Sequence, residues 1–265
     1  MRVRPAAVAG IFYPDQPDEL DRDVGRHLAA GAPAGEPDPE DPPKALIVPH
    51  AGYVYSGPIA GKAYARLHPL RQVVSRVVLL GPAHRVAVRG LAAPDADAFE
   101  TPLGRVPLHR PSLRTLQALP QVCVDDHAHT AEHSLEVQLP FLQHVLSDFS
   151  LVPLAVGEAT DEEVAEVIEW LWGGSETLVV VSSDLSHYYD YATARRMDVA
   201  TCRAIEALRA EGLGDESACG RIPIRGLLLA ARHHGLAVHT LDLRSSGDTA
   251  GSRDEVVGYG AWAFT

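Results

Sequence analysis

Cysteine is scarce. Only Cys123, Cys202 and Cys219 occur in 265 residues, and no C-x-x-C pair is among them, so the chain offers no disulfide framework. Such sparse usage fits a reducing cytoplasm, which is the expected location. Positive charge is also short. The 23 Lys and Arg face 35 Asp and Glu, a formal net charge of −12. An acidic chain repels phosphate backbones, and the one adjacent basic pair, Arg195-Arg196, reads as a solvated helix face; nucleic acid is not an expected partner. No apolar run approaches the ~20 residues of a membrane helix, so no membrane partner is expected either. Arg2 and Arg4 precede a small apolar stretch at 6–13. A signal peptide would place its A-x-A site after that stretch, yet Ala7-Val8-Ala9 lies inside it, so no signal is read.

Several common chemistries are missing as well. Gly52-x-x-x-x-Gly57 is followed by Pro58 rather than Lys-Ser/Thr, which rules out a P-loop. Gly258-x-Gly260-x-x-Ala263 has the spacing of a dinucleotide fingerprint but stands at the end of the sequence, with no helix to receive a pyrophosphate. There is no G-x-S-x-G nucleophile elbow. His133-Ser134-Leu135-Glu136-Val137 resembles an H-x-x-E-H zinc helix but carries Val137 where the second histidine belongs.

What is present is an α/β pattern. Apolar residues make up 46% of the chain, enough for a sizeable core. Near-continuous apolar runs at 44–49, 76–80, 151–156 and 178–181 predict strands buried on both faces. Looser alternation at 237–243 and 256–264 predicts two more. Helical patterns fall between them at 59–67, 134–146, 160–171, 191–210 and 223–234, the third opening with a Thr160 cap and an acidic first turn of Asp161, Glu162 and Glu163. The Pro-rich acidic stretch 31–43 reads as a surface loop. The expectation is one domain over 1–265, with a central, mixed, mostly buried sheet flanked by helices.

Thirteen histidines are the unusual feature. Three predicted strands run directly into polar residues: His50 after 44–49, His84 after 76–80, and Ser182-Ser183-Asp184-Leu185-Ser186-His187 after 178–181. Ligands in open α/β sheets bind at the carboxyl ends of strands. Any one strand-end histidine more often caps a loop or bonds a carbonyl. Three on neighbouring loops point to a shared site, and Cys219, just before the 223–234 helix, is a further donor. Imidazole with thiolate suits Fe(II), Zn or Cu better than Mg or Ca. His127, His129, Glu132 and His133 form a second rich patch, for which support of a nearby ligand is expected over direct ligation by His133. His233-His234 stands at a helix C-terminus, where cationic side chains are favoured.

Six blocks then carry a resemblance: Pro5-Ala6-Ala7-Val8-Ala9-Gly10-Ile11-Phe12-Tyr13-Pro14, Pro49-His50-Ala51-Gly52-Tyr53-Val54-Tyr55-Ser56-Gly57, Leu80-Gly81-Pro82-Ala83-His84, Glu132-His133-Ser134-Leu135-Glu136, Ser182-Ser183-Asp184-Leu185-Ser186-His187 and Cys219-Gly220-Arg221-Ile222-Pro223-Ile224. In this order the chain resembles the Memo family, called AmmeMemoRadiSam system protein B in prokaryotes. The resemblance implies a fold like that of class III extradiol dioxygenases, non-heme Fe(II) enzymes with two histidines and a carboxylate on the metal. It implies that His50 and His84 match the histidine ligands and His187 the acid/base position, with Asp184 nearby. It places Cys219 where the dioxygenases have their carboxylate. A metal-dependent redox protein or enzyme follows from it, with Fe(II) foremost and Cu or Zn as alternatives. It also implies AMMECR-like and radical-SAM proteins as partners. The metal-dependent reading takes a small molecule as substrate, and two other readings stand beside it: a catalytically silent pocket that receives a peptide or partner loop, and metal-free thiol chemistry by a Cys219 of lowered pKa.

Overall fold

The computed structural model describes residues 1–32 and 42–265; most of the expected loop at 31–43 lies outside them. β1 (Val3–Arg4) and α1 (Pro17–Gly31) precede the first central strand, β2 (Ala45–Val48). α2 (Tyr53–Tyr64) leads to β3 (Arg76–Pro82). Short strands follow: β4 (Leu91–Ala93), β5 (Ala98–Thr101), β6 (Gly104–Pro107) and, after α3 (Arg110–Leu116), β7 (Val122–Val124). Then come α4 (His127–Thr130), α5 (Leu139–Val145), β8 (Ser150–Val156), α6 (Asp161–Leu171), β9 (Thr177–Ser182) and β10 (His187–Tyr189). α7 (Tyr191–Glu206), α8 (Arg221–His234), β11 (Val238–Ser245) and β12 (Val256–Phe264) complete the order.

Four parallel strands in the order β2-β9-β3-β8 form the centre of a mixed sheet. β12 runs antiparallel to β2, and β4 antiparallel to β8. Every residue of β2 and β9 is buried, which is why these strands read as continuous apolar runs and not as alternation. Helices α1, α2 and α5 pack together, while α6 and α8 pack on each other and α8 reaches β3 and β9. A separate small sheet, β1-β5-β6, lies outside the main one. Among the described residues no helix is long and apolar enough to cross a membrane.

Local chemistry sets the element ends. Thr160 and Glu163 form a reciprocal capping box at the start of α6. Gly235 takes the left-handed conformation that ends α8. The expected helix at 134–146 is divided: Glu136–Gln138 forms a 3₁₀ turn, and α5 begins at Leu139, with Pro140 in the first turn where its missing N–H costs nothing. Within that stretch the wholly buried Glu136 gathers the N-terminal segment. It accepts from the Arg4 guanidinium, from Tyr13 Oη (2.5 Å) and from the backbone amides of Ala7 (2.8 Å) and Val8 (3.0 Å). The carboxylate is thereby paired and hydrogen-bonded, the condition for tolerating a buried charge.

Candidate metal centre

The carboxyl ends of β2, β3 and β9 converge as parallel topology requires. His50 follows β2 by two residues and is buried at 2% exposure. Its backbone N–H donates to Asp184 Oδ1 (2.8 Å), and its ring Nδ1 lies 2.9 Å from Ser182 Oγ. Hydrogen-bond accounting fixes the tautomer. Ser182 has one hydroxyl proton, which it gives to the Ser134 carbonyl (2.6 Å), and it accepts from Gln138 Nε2 (2.7 Å). Its remaining capacity is to accept, so His50 Nδ1 carries the proton and Nε2 presents its lone pair.

His84 follows β3. Glu132, 1% exposed, accepts from its backbone N–H (2.6 Å) and from ring Nδ1 (3.0 Å). Glu132 also accepts from the amides of His133 and Ser134, both at 2.9 Å. Burial pushes this carboxyl up, but the His84 ring and the amides outweigh it and hold it well below the usual carboxylate range. An ionised Glu132 makes Nδ1 the protonated nitrogen of His84 and frees Nε2. This carboxylate–imidazole pairing is the arrangement that orients metal-binding histidines.

His133 completes a trio. Its ring stacks on His84 (centroids 4.8 Å, 21°) and stands edge-on to His50 (5.4 Å). One donor atom from each of His50, His84 and His133 lies within 4.8 Å of the others. His133 Nδ1 is buried without a hydrogen-bond partner; it comes within 3.3 Å of Glu132 Oε1 but not in bonding orientation. Burial and the neighbouring histidines hold His50 well below its ordinary pKa, and burial lowers His133 to about 4, so both rings are neutral at pH 7 with lone pairs available.

Cys219 reaches the same place from the start of α8. Its Sγ lies 3.3 Å from His50 Nε2 and accepts from the Asp184 amide at 3.3 Å. Gly220 permits this approach: a Cβ there would sit 2.6 Å from Ser183 Cβ and 2.9 Å from the Ser182 carbonyl. Asp184, 4% exposed, is pushed up to about 7 by burial against amide bonds from His50 and Ala51. His187, on β10, donates from Nδ1 to the Leu185 carbonyl (2.8 Å), which leaves Nε2 as its lone pair; burial, with His84 nearby, lowers its pKa. A cavity of about 620 Å³ opens beside His84 and Cys219, with Val88, Val156 and Ile222 in its wall and Arg89 and Arg221 at charged positions.

The donors fit a transition ion. Two oriented Nε2 lone pairs, an orphaned buried nitrogen on His133 and a thiol form a soft-to-borderline set with no hard oxygen cage. The family model described as Memo-like protein matches residues 4–263. The chain belongs to the Memo family. A MEMO1 family protein of Aquifex aeolicus (strain VF5) is 36% identical over 274 residues, covering 98% of each chain. Another from Aeropyrum pernix is 37% identical over 286 residues, covering 98% of this chain and 99% of the relative. A solved structure, an uncharacterized protein JW3007 from Escherichia coli K12, aligns with TM-score 0.55 at 14% identity over 83% of this chain and 98% of that one, which speaks to fold alone.

In this Memo family chain, then, His50 lies against Cys219, and His50 and His84 share the trio with His133; Cys219 falls outside that mutual 4.8 Å set. His133 stands closer to the centre than the supporting role expected for it. Glu132 takes that role instead. His129 is buried elsewhere with Nε2 donating to the Ala92 carbonyl (2.9 Å), and His127 is exposed on α4. Ser182 as the residue orienting His50 was not anticipated. A serine at a strand end carries no signal until its partners are known.

Proposed function

We propose that this protein is a cytoplasmic, metal-dependent redox protein acting on a small molecule, with an ion held by His50, His84 and Cys219 and with His133 as a further donor. The observation that carries the reading is the convergence of three imidazole donors within 4.8 Å, two of them oriented by Ser182 and Glu132. Fe(II) suits such a site first, and Cu or Zn are the alternatives. A bound ion of this kind would supply Lewis acidity and, if iron or copper, electron exchange.

The chain's own groups do the rest. His187 Nε2 accepts or returns a proton, because Nδ1 is engaged with the Leu185 carbonyl. Asp184, whose carboxyl burial raises to about 7, accepts from the His50 backbone amide and can hold a proton beside it. The cavity beside His84 receives the substrate, with Val88, Val156 and Ile222 against its apolar part and Arg89, Glu158, Asp215 and Arg221 against its polar part. AMMECR-like and radical-SAM proteins are its proposed partners.

The thiol reading expected a lowered Cys219 pKa. Burial and the adjacent Asp184 instead push the thiol up to about 12, and His50 offers no positive charge to oppose them. Metal-free nucleophilic chemistry by Cys219 is therefore disfavoured at neutral pH.

The test is metal content of untagged protein, counted by mass spectrometry. After a brief chelator wash to strip ions held at the surface, wild type is expected to hold about one equivalent, and His50→Ala or His84→Ala at least tenfold less. His187→Ala is expected to retain the ion and lose turnover. Sulfur scattering in the X-ray absorption spectrum should vanish in Cys219→Ser. Equal metal content in wild type and His84→Ala would sink the proposal, leaving the silent peptide-binding pocket as the better account.

A further inference from the structure

Among the described residues, a second gathering of metal-type donors lies on the surface, away from this centre. α6 and α8 run side by side with their starts together: Arg225 on α8 pairs with Asp161 on α6 (Nε to Oδ2, 2.9 Å). A side chain at Gly226 would collide with Val164, so the helices are in close contact near that end. At the other end, Glu169 on α6 meets the last turn of α8. His233 Nδ1 lies 2.8 Å from Glu169 Oε1, and His234 Nε2 lies 2.8 Å from Oε2. One donor atom from each of these three residues lies within 4.8 Å of the others.

The cluster is held in place. His234 stacks on Trp172 with centroids 4.0 Å apart and planes 6° from parallel. Lys44 lies over the same indole at 5.1 Å and is itself anchored to the carbonyls of Trp172 (2.7 Å), Gly174 (2.7 Å) and Thr177 (2.8 Å). His234 therefore keeps its orientation without help from an ion, which lowers the entropic cost of binding one. The side chains are 31% (Glu169), 74% (His233) and 30% (His234) exposed, so an ion can enter directly from solvent.

We propose that Glu169, His233 and His234 form a second binding site for a borderline divalent ion such as Zn(II) or Ni(II), clasping the C-terminal ends of α6 and α8. Two imidazoles and one carboxylate are the ligand types such ions favour, and too few oxygens are present for Ca²⁺ or Mg²⁺. Tetrahedral zinc at about 2.1 Å from each donor sets neighbouring donors about 3.4 Å apart. The donors lie within 4.8 Å of one another, and the two 2.8 Å contacts reach different oxygens of Glu169, so an ion is reached by small side-chain rotations that bring both rings to one of those oxygens. On binding, each coordinating nitrogen must give up the proton it shares with Glu169: a neutral ring tautomerises, its single proton moving through solvent to Nε2 of His233 or Nδ1 of His234, and a doubly protonated ring releases one proton to solvent and keeps the other there. Water takes the fourth position.

The experiment titrates metal-free, untagged full-length protein with ZnCl₂ and with NiCl₂ by calorimetry, with ions counted by native mass spectrometry. Wild type is expected to bind one equivalent more than Glu169→Gln or His234→Ala, or to bind that equivalent at least tenfold more tightly. His84→Ala is expected to keep it. Added zinc should raise the melting temperature of wild type more than that of Glu169→Gln. Unchanged stoichiometry, affinity and thermal shift in both variants would overturn the proposal, as would binding weaker than millimolar in wild type. Should His234→Ala disturb folding by losing its Trp172 contact, the more exposed His233→Ala provides the same comparison. Failure of the buried centre would appear instead as His84→Ala matching wild type, so the two sites are judged separately.

Discussion

Glu132 places a full negative charge behind His84 in a site where the carboxylate is 1% exposed. Its backbone and ring hydrogen bonds lock the His84 tautomer and hold the loop that carries His133. Glu132→Gln keeps the shape but puts an NH₂ where amide donors already point. Metal affinity is expected to fall tenfold to a hundredfold, with about 2 kcal/mol lost from stability. Competition with a chromophoric chelator measures the first and urea unfolding the second; unchanged affinity would show that His84 needs no such partner. At this scale the sequence was informative where a polar residue directly followed an apolar strand. His50, His84, Asp184 and Cys219 are brought to one place. His133 was harder to read because it lies in a coil between α4 and a 3₁₀ turn, with no periodicity to aim it.

Cys219 depends on an element boundary, the start of α8. Gly220 lets that start press on the end of β9, and its amide donates to Ser183 Oγ (2.9 Å). Gly220→Ala adds a methyl where neighbours stand within 2.6–2.9 Å, so α8 must move outward. The expected cost is about 1–3 kcal/mol. Cys219 moves with the helix, so Gly220→Ala should also weaken sulfur ligation in the absorption spectrum. A variant of wild-type stability with an unchanged spectrum would deny the close fit any role. The central elements were legible because both-face burial writes itself as unbroken apolar runs. The predicted 76–80, 151–156 and 178–181 correspond to Arg76–Pro82, Ser150–Val156 and Thr177–Ser182. The short strands β4 to β7, three or four residues each, were not, since such pieces are specified by their partners. α1 was missed for another reason: its amphipathic contrast matches that of the helices that were read, but the segment is mostly polar and only Leu20 and Val24 of its residues are buried, so no apolar run marked it.

For the molecule as a whole, acid stability reflects opposing groups. Burial lowers His129 and His133 to about 4 and, with the neighbouring histidines, holds His50 well below its ordinary value. The unfolded chain therefore takes up these protons near pH 6.5 and the folded chain later, near 4 for His129 and His133, so stability is lost as pH falls through that window. Asp184 and Asp198, raised to about 7 and about 6, act the other way. The folded state holds their protons longer, and their contribution is largest in acid and lost as pH rises through those values. Histidines outnumber carboxyls here, so the metal-free protein should weaken from pH 6.5 to 4, by up to about 1.4 kcal/mol per unit for each uncompensated proton. His129→Leu lowers the plateau but should flatten this limb, because the buried ring with its unpartnered Nδ1 no longer titrates. Urea midpoints across pH test it, and an equally steep limb in the variant would refute the assignment. Glu136 has a consequence in time. Its partners Arg4, Ala7, Val8 and Tyr13 leave the ribosome more than a hundred residues before it does. The segment from Arg4 to Tyr13 thus cannot settle until more than a hundred later residues have been made, and loss of these partners would strand a charge in the interior.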